Sequence, residues 1–253
     1  MRNVILITQA RSGSTRLPGK VLLKVHGQEL LKIHLDRIRK AKLVNEFVLA
    51  TTTNTEDDVI QELCEKWGVR FSRGSEQDVL DRYYQAAKPY KPDYVVRVTS
   101  DCPLVDPEMI DAVVAFTLIN DIDYGANILS EKFPDGQDVE VFKFSALEKA
   151  WNEAKLQSER EHVTPFIKKN SDYNAGNLFT AMDLPSKINY TGVRMTVDVP
   201  QDLELIRVLV EKLGTGESWF TYANYIIEKN LHNLNSGVVR NEGYLKSLRD
   251  DKK

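Results

Sequence analysis

The sequence is short of the residues that build metal and disulfide frameworks. Its only cysteines, Cys64 and Cys102, are too few for a disulfide scaffold or a thiolate metal centre. Its four histidines stand apart at positions 26, 34, 162 and 232, which argues against a zinc site. No apolar run approaches the ~18 residues of a membrane-spanning helix, and the first residues show no charged–apolar–small leader pattern. The expected setting is therefore cytoplasmic, with no membrane partner. An excess of either charge is also missing. Lys and Arg number 34 against 37 Asp and Glu, so the net charge of −3 excludes a broad nucleic-acid footprint and leaves room only for a local basic loop. No Gly/Ser/Pro linker and no repeat of fixed period divides the chain. With 253 residues, 42% of them hydrophobic, it can bury one substantial core, and a single domain is expected.

What is present is an alternation of strand-like and helix-like segments. "NVILIT" reads as a buried strand, "EFVLATT" as a second, "VRFS" as a short third and "DYVVRVT" as a fourth. Between them lie "ELLKIHLDRIRKA", with Leu30, Leu31, Leu35 and Ile38 at helical spacing, and "EDDVIQELCEKWG", closed by Gly68. "SEQDVLDRYYQAAKPY" is a further helix with Ser75 at its N-cap, and "DPEMIDAVVAFTLI" another with Pro107 in its first turn. Such alternation implies βαβ units and a mainly parallel sheet. The second half is less regular. "DVEVFKF" and "GVRMTVD" read as strands, "SALEKAWNEAKL" and "VPQDLELIRVLVEKL" as helices, and "REHVTPFIKK" as a helix with a proline inside. The polar end, "SGVVRNEGYLKSLRDDKK", is expected to extend from the body or to meet a partner subunit. This sets a main domain over 1–230 and an extension over 231–253.

Residues 9 to 20, "QARSGSTRLPGK", follow the first strand. Five residues separate Gly13 from Gly19 and Val21 follows Lys20, so this is not a Walker loop. Nor does it carry the dinucleotide fingerprint. Gly13 and Gly19 let the backbone approach an anion, Arg11, Arg16 and Lys20 add three positive charges, and Ser12, Ser14 and Thr15 add donors. A solvated basic connection would have the same composition. Position shifts the balance toward a ligand, because open α/β sheets bind at the carboxyl ends of their strands. The loop is expected to be exposed.

A triphosphate held by such a loop calls for a divalent cation, and hence for carboxylates at strand ends. Asp101 follows the fourth strand, and reads equally as a turn residue or a ligand. Asp198 ends the late strand and is open in the same way. Asp106, before Pro107, reads as an N-cap, and Asp202 as a partner of a helix dipole. Arg97 lies within a strand and needs a partner if buried. Ser75 and Asp78 are explained by helix capping as well as by ligand contact. Pro134, Asp135 and Gly136 are turn formers, with Asp138 and Glu140 on one strand face. Ser158 with Glu161 fits a capping box. His162 is open as a base. Trp67, Trp151 and Trp219 read as core or subunit contacts.

These segments carry a resemblance. "QARSGSTRLPGKVL" is similar to the first motif of sugar-nucleotide cytidylyltransferases, and most of all to the SpsF-like family linked to spore-coat and surface polysaccharide synthesis. "RGSEQDVLDRYYQAA", "RVTSDCPLVDP", "FPDGQDVEVF" and "TVDVPQDL" resemble further motifs of that family in the same order, between residue 8 and about 205. Ser100 stands where the family more often has Gly. The resemblance implies a Rossmann-like nucleotide-diphosphosugar transferase fold, α/β with a mixed, mostly parallel sheet. It also implies transfer of CMP from CTP to a sugar acid of nonulosonic or Kdo-like type, with release of pyrophosphate. Gln9, Ala10, Arg11, Ser12, Gly13, Ser14 and Lys20 would then line the nucleotide, with Ser100 and with Arg73, Ser75 and Asp78 around the base or ribose. Lys20, Arg11 and Arg16 would stabilise the transition state, Asp101 and Asp198 would hold Mg²⁺, and Asp135, Asp138 and Glu140 would face the acceptor. A homodimer is implied as well. Two rival readings stand beside it: a glycosyltransferase of the same fold using a nucleotide-sugar donor, and a nucleotide-binding subunit without catalysis. A nucleotidyltransferase with another nucleotide or a non-sugar acceptor is a nearer variant.

Overall fold

The computed structural model describes residues 2–252. Strand β1 (Val4–Gln9) is buried along almost its whole length, as a near-continuous apolar strand in a parallel sheet must be. It pairs in parallel with β4 (Glu46–Thr52) on one side and with β6 (Tyr94–Thr99) on the other, with Leu6 beside Phe47 and Val96. β5 (Arg70–Gly74) pairs in parallel with β4 at one edge. Beyond β6 come β8 (Glu140–Lys143), β7 (Tyr124–Ala126) and β9 (Ala181–Asp183), giving a seven-stranded sheet in the order β5-β4-β1-β6-β8-β7-β9. Only β8 runs against the others. A separate small hairpin joins β2 (Lys24–Val25) to β3 (Gln28–Glu29). The mixed, mostly parallel single-domain α/β fold expected from the sequence is therefore present.

The period-2 alternation of β1 divides the core. Val4 and Leu6 face helices α1 (Leu30–Ile38), α2 (Asp58–Lys66) and α4 (Pro107–Asn120). Ile5 and Ile7 face α3 (Val79–Ala87), α5 (Phe144–Glu153) and α7 (Pro165–Lys169). A third apolar cluster gathers α8 (Pro200–Leu213) and α9 (Trp219–Glu228) around Val193, Met195 and Val197. Helix α6 (Gln157–His162) and the terminal α10 (Glu242–Asp250) pack together at the molecular edge.

Topology fixes where a ligand can sit. From β1 the chain moves outward to β4 and β5, then returns to the opposite side of β1 as β6. The carboxyl ends of β1 and β6 thus flank a switch point, the crevice in which open α/β sheets bind ligands. Ser100 closes the gap between them, its backbone N–H and hydroxyl both donating to the Gln9 carbonyl, at 3.3 and 2.6 Å.

Several expected elements take a different form. "GVRMTVD" is not a sheet strand. It runs as an extended segment with one bridge, Arg194 to Asp135. Its alternating Val193, Met195 and Val197 face helices α8 and α9 instead of a strand neighbour. "REHVTPFIKK" is two helices, broken at Val163 with φ 72°, so that Pro165 begins α7 rather than interrupting a longer helix. The N-cap of α3 is Asp78, whose carboxylate accepts from the Asp81 N–H. Ser75 instead accepts from the Asp78 N–H. Ser158 lies inside α6, and Glu159 rather than Glu161 accepts from the N–H groups at the helix start, Lys155 and Leu156. Asp106 does cap α4. Strand β8 begins at Glu140, so Asp138 precedes it. The polar end does not extend from the body. It folds back, and α10 packs on α6.

His34 locks α1 to both strand ends. Its Nδ1–H donates to the Cys102 carbonyl, since a carbonyl can only accept, which leaves Nε2 to accept from Thr8 Oγ1; both distances are 2.9 Å. Full burial holds its pKa down at about 4. The unfolded chain takes up a proton on this ring at about pH 6.5 and the folded one near 4, so stability is complete above the first value and falls between the two, by roughly 3 kcal/mol in the limit. A denaturation series from pH 7.5 to 4 should show this loss. His34→Gln, which keeps a donor and an acceptor without titrating, should flatten it.

Candidate active site

The loop after β1 is organised by its own backbone and by the loop after β4. Ser14 N–H and Gly19 N–H both donate to the Ser12 carbonyl, at 2.8 and 3.0 Å. Gly19 takes φ 64°, the left-handed conformation that turns the chain into the short helical turn Lys20–Leu22. Ser12 N–H donates to Asp57 Oδ1 at 2.6 Å, and Asp57 in turn accepts from the Thr52 hydroxyl. Arg73 braces the same region through the carbonyls of Thr52 and Asn54 and through Gln61 and Asp58. Arg11 is about half exposed and pairs with Glu76 at 2.5 Å. Gln9 Oε1 is buried without a hydrogen-bond partner, and Ala10 is buried with its N–H on the Ala50 carbonyl.

Lys20 does not share the exposure expected of the loop. Its side chain is 14% exposed, and its ammonium lies 2.8 Å from both Asp101 Oδ2 and Asp198 Oδ1. The two aspartates, 97 residues apart in sequence, thus converge on one cation. Burial lowers the Lys20 pKa, but the two carboxylates outweigh it and the net shift is upward. Burial raises the pKa of Asp101 and of Asp198, but Lys20, helped by Thr99 at Asp101 and by Arg194 at Asp198, more than reverses it, so both pKa values fall below the ordinary carboxylate value.

Asp198 arrives by docking of the extended segment. Val197 N–H donates to the Asp101 carbonyl at 2.8 Å, and Thr196 Oγ1 donates to the same oxygen. On its other side the segment meets the 134–137 turn. Gly136 sits there with φ 100°, and a Cβ on it would lie 2.7 Å from the Met195 carbonyl carbon and the Thr196 nitrogen. Only glycine allows this approach. Arg194 ties the parts together, reaching Asp135 at 2.5 Å, Asp198 at 2.8 Å and Asp202 at 2.9 Å. Asp202 also accepts from the N–H of Asp198 and Val199, which fits its expected place at a helix start. Arg16 adds a third cation at Asp198, beside Lys20 and Arg194, at 3.0 Å, and pairs with Glu242 of α10 at 2.8 Å.

The remaining predicted positions spread outward. Asp135 stands beside Arg194, and Asp138 bonds Arg240 at 2.8 Å. Burial, with Asp135 and Glu140 nearby, pushes the Asp138 pKa up to about 7 against the pull of Arg240. Glu140 is buried and engaged by Arg97, Tyr124 and Thr164. Lys168 and Arg97 overcome the cost of burial and bring its pKa to about 2. Asp78 is held by Arg160 as well as capping α3. Ser75, Asp78 and Arg73 therefore all have partners within the protein. His162 bonds Ser247 and packs edge-on against Tyr244.

A family model described as cytidylyltransferase matches residues 5–234. The chain belongs to the cytidylyltransferase family. Among its relatives is an uncharacterized protein of Methanocaldococcus jannaschii, 41% identical over 93% of this chain and 95% of that one. The spore coat polysaccharide biosynthesis protein SpsF of Bacillus subtilis is 33% identical over 85% and 89%. The solved structure of a cytidylyltransferase from Leptospira borgpetersenii superposes with a TM-score of 0.86 at 32% identity, over 95% of this chain and all of that one.

Sequence reasoning missed four residues of this charged cluster: Arg194, Glu76, Arg240 and Glu242. Arg194 carried the signal that singled out Arg97, a charge inside an apolar alternating run that demands buried partners. Glu76 sits in a segment already assigned by family likeness. Arg240 and Glu242 lie in the polar end and gave no local signal.

Lys20→Ala removes the cation shared by two part-buried carboxylates. It should lower stability by about 1–3 kcal/mol at neutral pH. Lys20 is a main cause of the lowered pKa values of Asp101 and Asp198, so the difference from wild type should begin to narrow as the pH falls below about 4. Equilibrium denaturation at pH 7 and pH 3 measures both effects, and an unchanged stability at pH 7 would contradict the buried placement.

Proposed function

We propose that the protein transfers the cytidylyl group of CTP to a hydroxyl of a sugar acid, releasing pyrophosphate. The observation that supports this reading most is the convergence of Asp101 and Asp198 on the Lys20 ammonium at the switch point. A nucleotidyl transfer needs charge balance at the α-phosphate, and here one basic and two acidic groups share a single point.

In this reading the nucleotide lies along the loop from Gln9 to Lys20, with Ser100 beneath it. Arg11 and Arg16 release their carboxylate partners to take phosphate oxygens, and Lys20 turns to the α-phosphate. The acceptor hydroxyl forms a bond to the α-phosphorus as the bond to the bridging oxygen of pyrophosphate breaks, and the hydroxyl proton passes to solvent. Arg73, Ser75 and Asp78 act indirectly, by fixing the loop that holds Ser12 and the start of α3. Asp135 and Asp138 border the acceptor, while Glu140 holds Arg97 in place behind them.

The residues fit a divalent cation, magnesium in our reading. Among the described residues no group of three or more His, Cys, Asp or Glu side chains forms a closed metal site. Two carboxylates with an open remainder is the donor set of a magnesium ion completed by substrate phosphates and water. Asp101 and Asp198 would hold it, and it would offset negative charge at the α-phosphate. Function as a homodimer belongs to the same proposal. No helix among the described residues is long and apolar enough to cross a membrane, and we place the reaction in the cytoplasm.

Release of pyrophosphate from CTP, UTP, GTP and ATP, each with a panel of 2-keto-3-deoxy sugar acids, tests the reading. CTP with one such acid should give turnover. Turnover of a UDP-sugar with no pyrophosphate from any pair would favour a glycosyltransferase instead. Asp198→Asn should raise the magnesium concentration for half-maximal rate by tenfold or more, on the order expected for loss of one of two charged ligands. An unchanged magnesium titration would remove Asp198 as a ligand.

A further inference from the structure

Beyond the family match, residues after 234 lie across the site as a strap. Asn235 donates to Asp202 Oδ1 at 2.8 Å, anchoring its start. Glu242 clasps Arg16 at 2.8 Å. Between them, Arg240 is inserted at the turn expected to face the acceptor. Its side chain is 17% exposed, its Nη2 donates to Asp138 Oδ1 at 2.8 Å, and its Nε is buried without a hydrogen-bond partner. A buried guanidinium N–H left without an acceptor is uncommon and calls for one.

The neighbouring arginines do not offer the same opening. Arg194 is committed to three carboxylates. Arg97 also has an unpartnered Nε, but it faces Glu140, which stays ionised and neutralises it. Arg240, by contrast, has one hydrogen-bonded carboxylate, Asp138, whose pKa burial raises to about 7, and a second, Asp135, only at 4.0 Å from its Nε.

We propose that Arg240, delivered by the C-terminal strap, binds the carboxylate of the acceptor and makes the protein selective for acids over neutral sugars. This rests on the reading of the protein as a CMP-transferring enzyme with a sugar-acid acceptor. A planar guanidinium whose Nε–H has no hydrogen-bond acceptor, with Asp135 Oδ1 4.0 Å away and Nη1 only 3.5 Å from the Phe133 carbonyl, suits an incoming carboxylate, which it can grip by N–H donors. The strap thereby closes the acceptor side with one residue and, through Glu242, contacts the triphosphate loop with another. Acceptor recognition and nucleotide binding meet on the same short segment.

The test uses the full chain and 3-deoxy-manno-octulosonic, legionaminic and pseudaminic acids, each beside its C1 methyl ester. Calorimetry in the presence of CTP measures binding, and pyrophosphate release measures turnover. Wild type should bind at least one acid about tenfold or more tighter than its ester, as a charge-assisted pair warrants. Arg240→Ala and Arg240→Gln should abolish that preference by raising the KM for the acid, with CTP affinity changed less than twofold. Arg240→Lys should restore part of it. Gln can still donate to Asp138, so its failure to rescue separates the charge from anchoring of the strap. Wild type showing no preference for any acid, or variants keeping it, overturns the proposal. Acid preference that depends on Arg240 without pyrophosphate release would instead overturn the cytidylyl-transfer reading and leave Arg240 as an acid-binding residue.

Discussion

The Lys20 ammonium lies between Asp101 and Asp198, and without a cation at that point the two carboxylates would repel one another across a part-buried crevice. Each of the three belongs to a different part of the chain. Lys20 ends the loop after β1, Asp101 follows β6, and Asp198 closes an extended segment outside the sheet. Their meeting depends on the parallel pairing of β1 with β6 and on the docking of residues 193–198 against Asp101. The ion triad is therefore a readout of the topology. It forms only if the switch point, the late segment and the glycine that admits it are all in place.

Around this triad the charges are arranged in sequence rather than scattered. Arg194 joins Asp198 to Asp135 and Asp202, and Arg240 continues from Asp135 to Asp138. Arg16 leads in the other direction, from Asp198 to Glu242. The two routes leave the body at different places and both end on the C-terminal strap. Buried and half-buried ion pairs of this kind contribute little net stability relative to apolar packing. What they supply is placement, because each charge must find its partner or remain unsatisfied in a poorly solvated place.

Much of the fold was legible in the sequence. The runs in "NVILIT" and "DYVVRVT" were unambiguous because a parallel strand buried on both faces has little freedom in composition. Position after such strands singled out Asp101, as a turn residue or a ligand, and the loop carrying Lys20, whose role came only with the family resemblance. "GVRMTVD" misled because period-2 alternation reports a buried face and an exposed one, and helices α8 and α9 can supply the buried face as well as a sheet can. The cap of α3 was misplaced by three residues because Ser75 and Asp78 are both competent caps, and only tertiary contacts choose between them. Arg240 and Glu242 were invisible for a different reason. Their meaning lies in long-range pairing to residues 102 and 226 positions away, and a polar chain end carries no periodicity that points there.

The electrostatics of the closed site bear on what can enter it. In sequence the loop looks basic, with Arg11, Arg16 and Lys20 in ten residues. In the fold each of these cations already has a carboxylate partner: Glu76, Asp198 with Glu242, and Asp101 with Asp198. An anion arriving here meets no uncompensated positive patch, so a single phosphate or sulfate gains little. A triphosphate must exchange partners with several carboxylates at once, and the carboxylates it displaces must find cations of their own. That requirement favours a ligand that brings both many phosphate oxygens and a divalent ion. In the proposed reading it would also tie the ligand's arrival to the strap, since Glu242 pairs with Arg16.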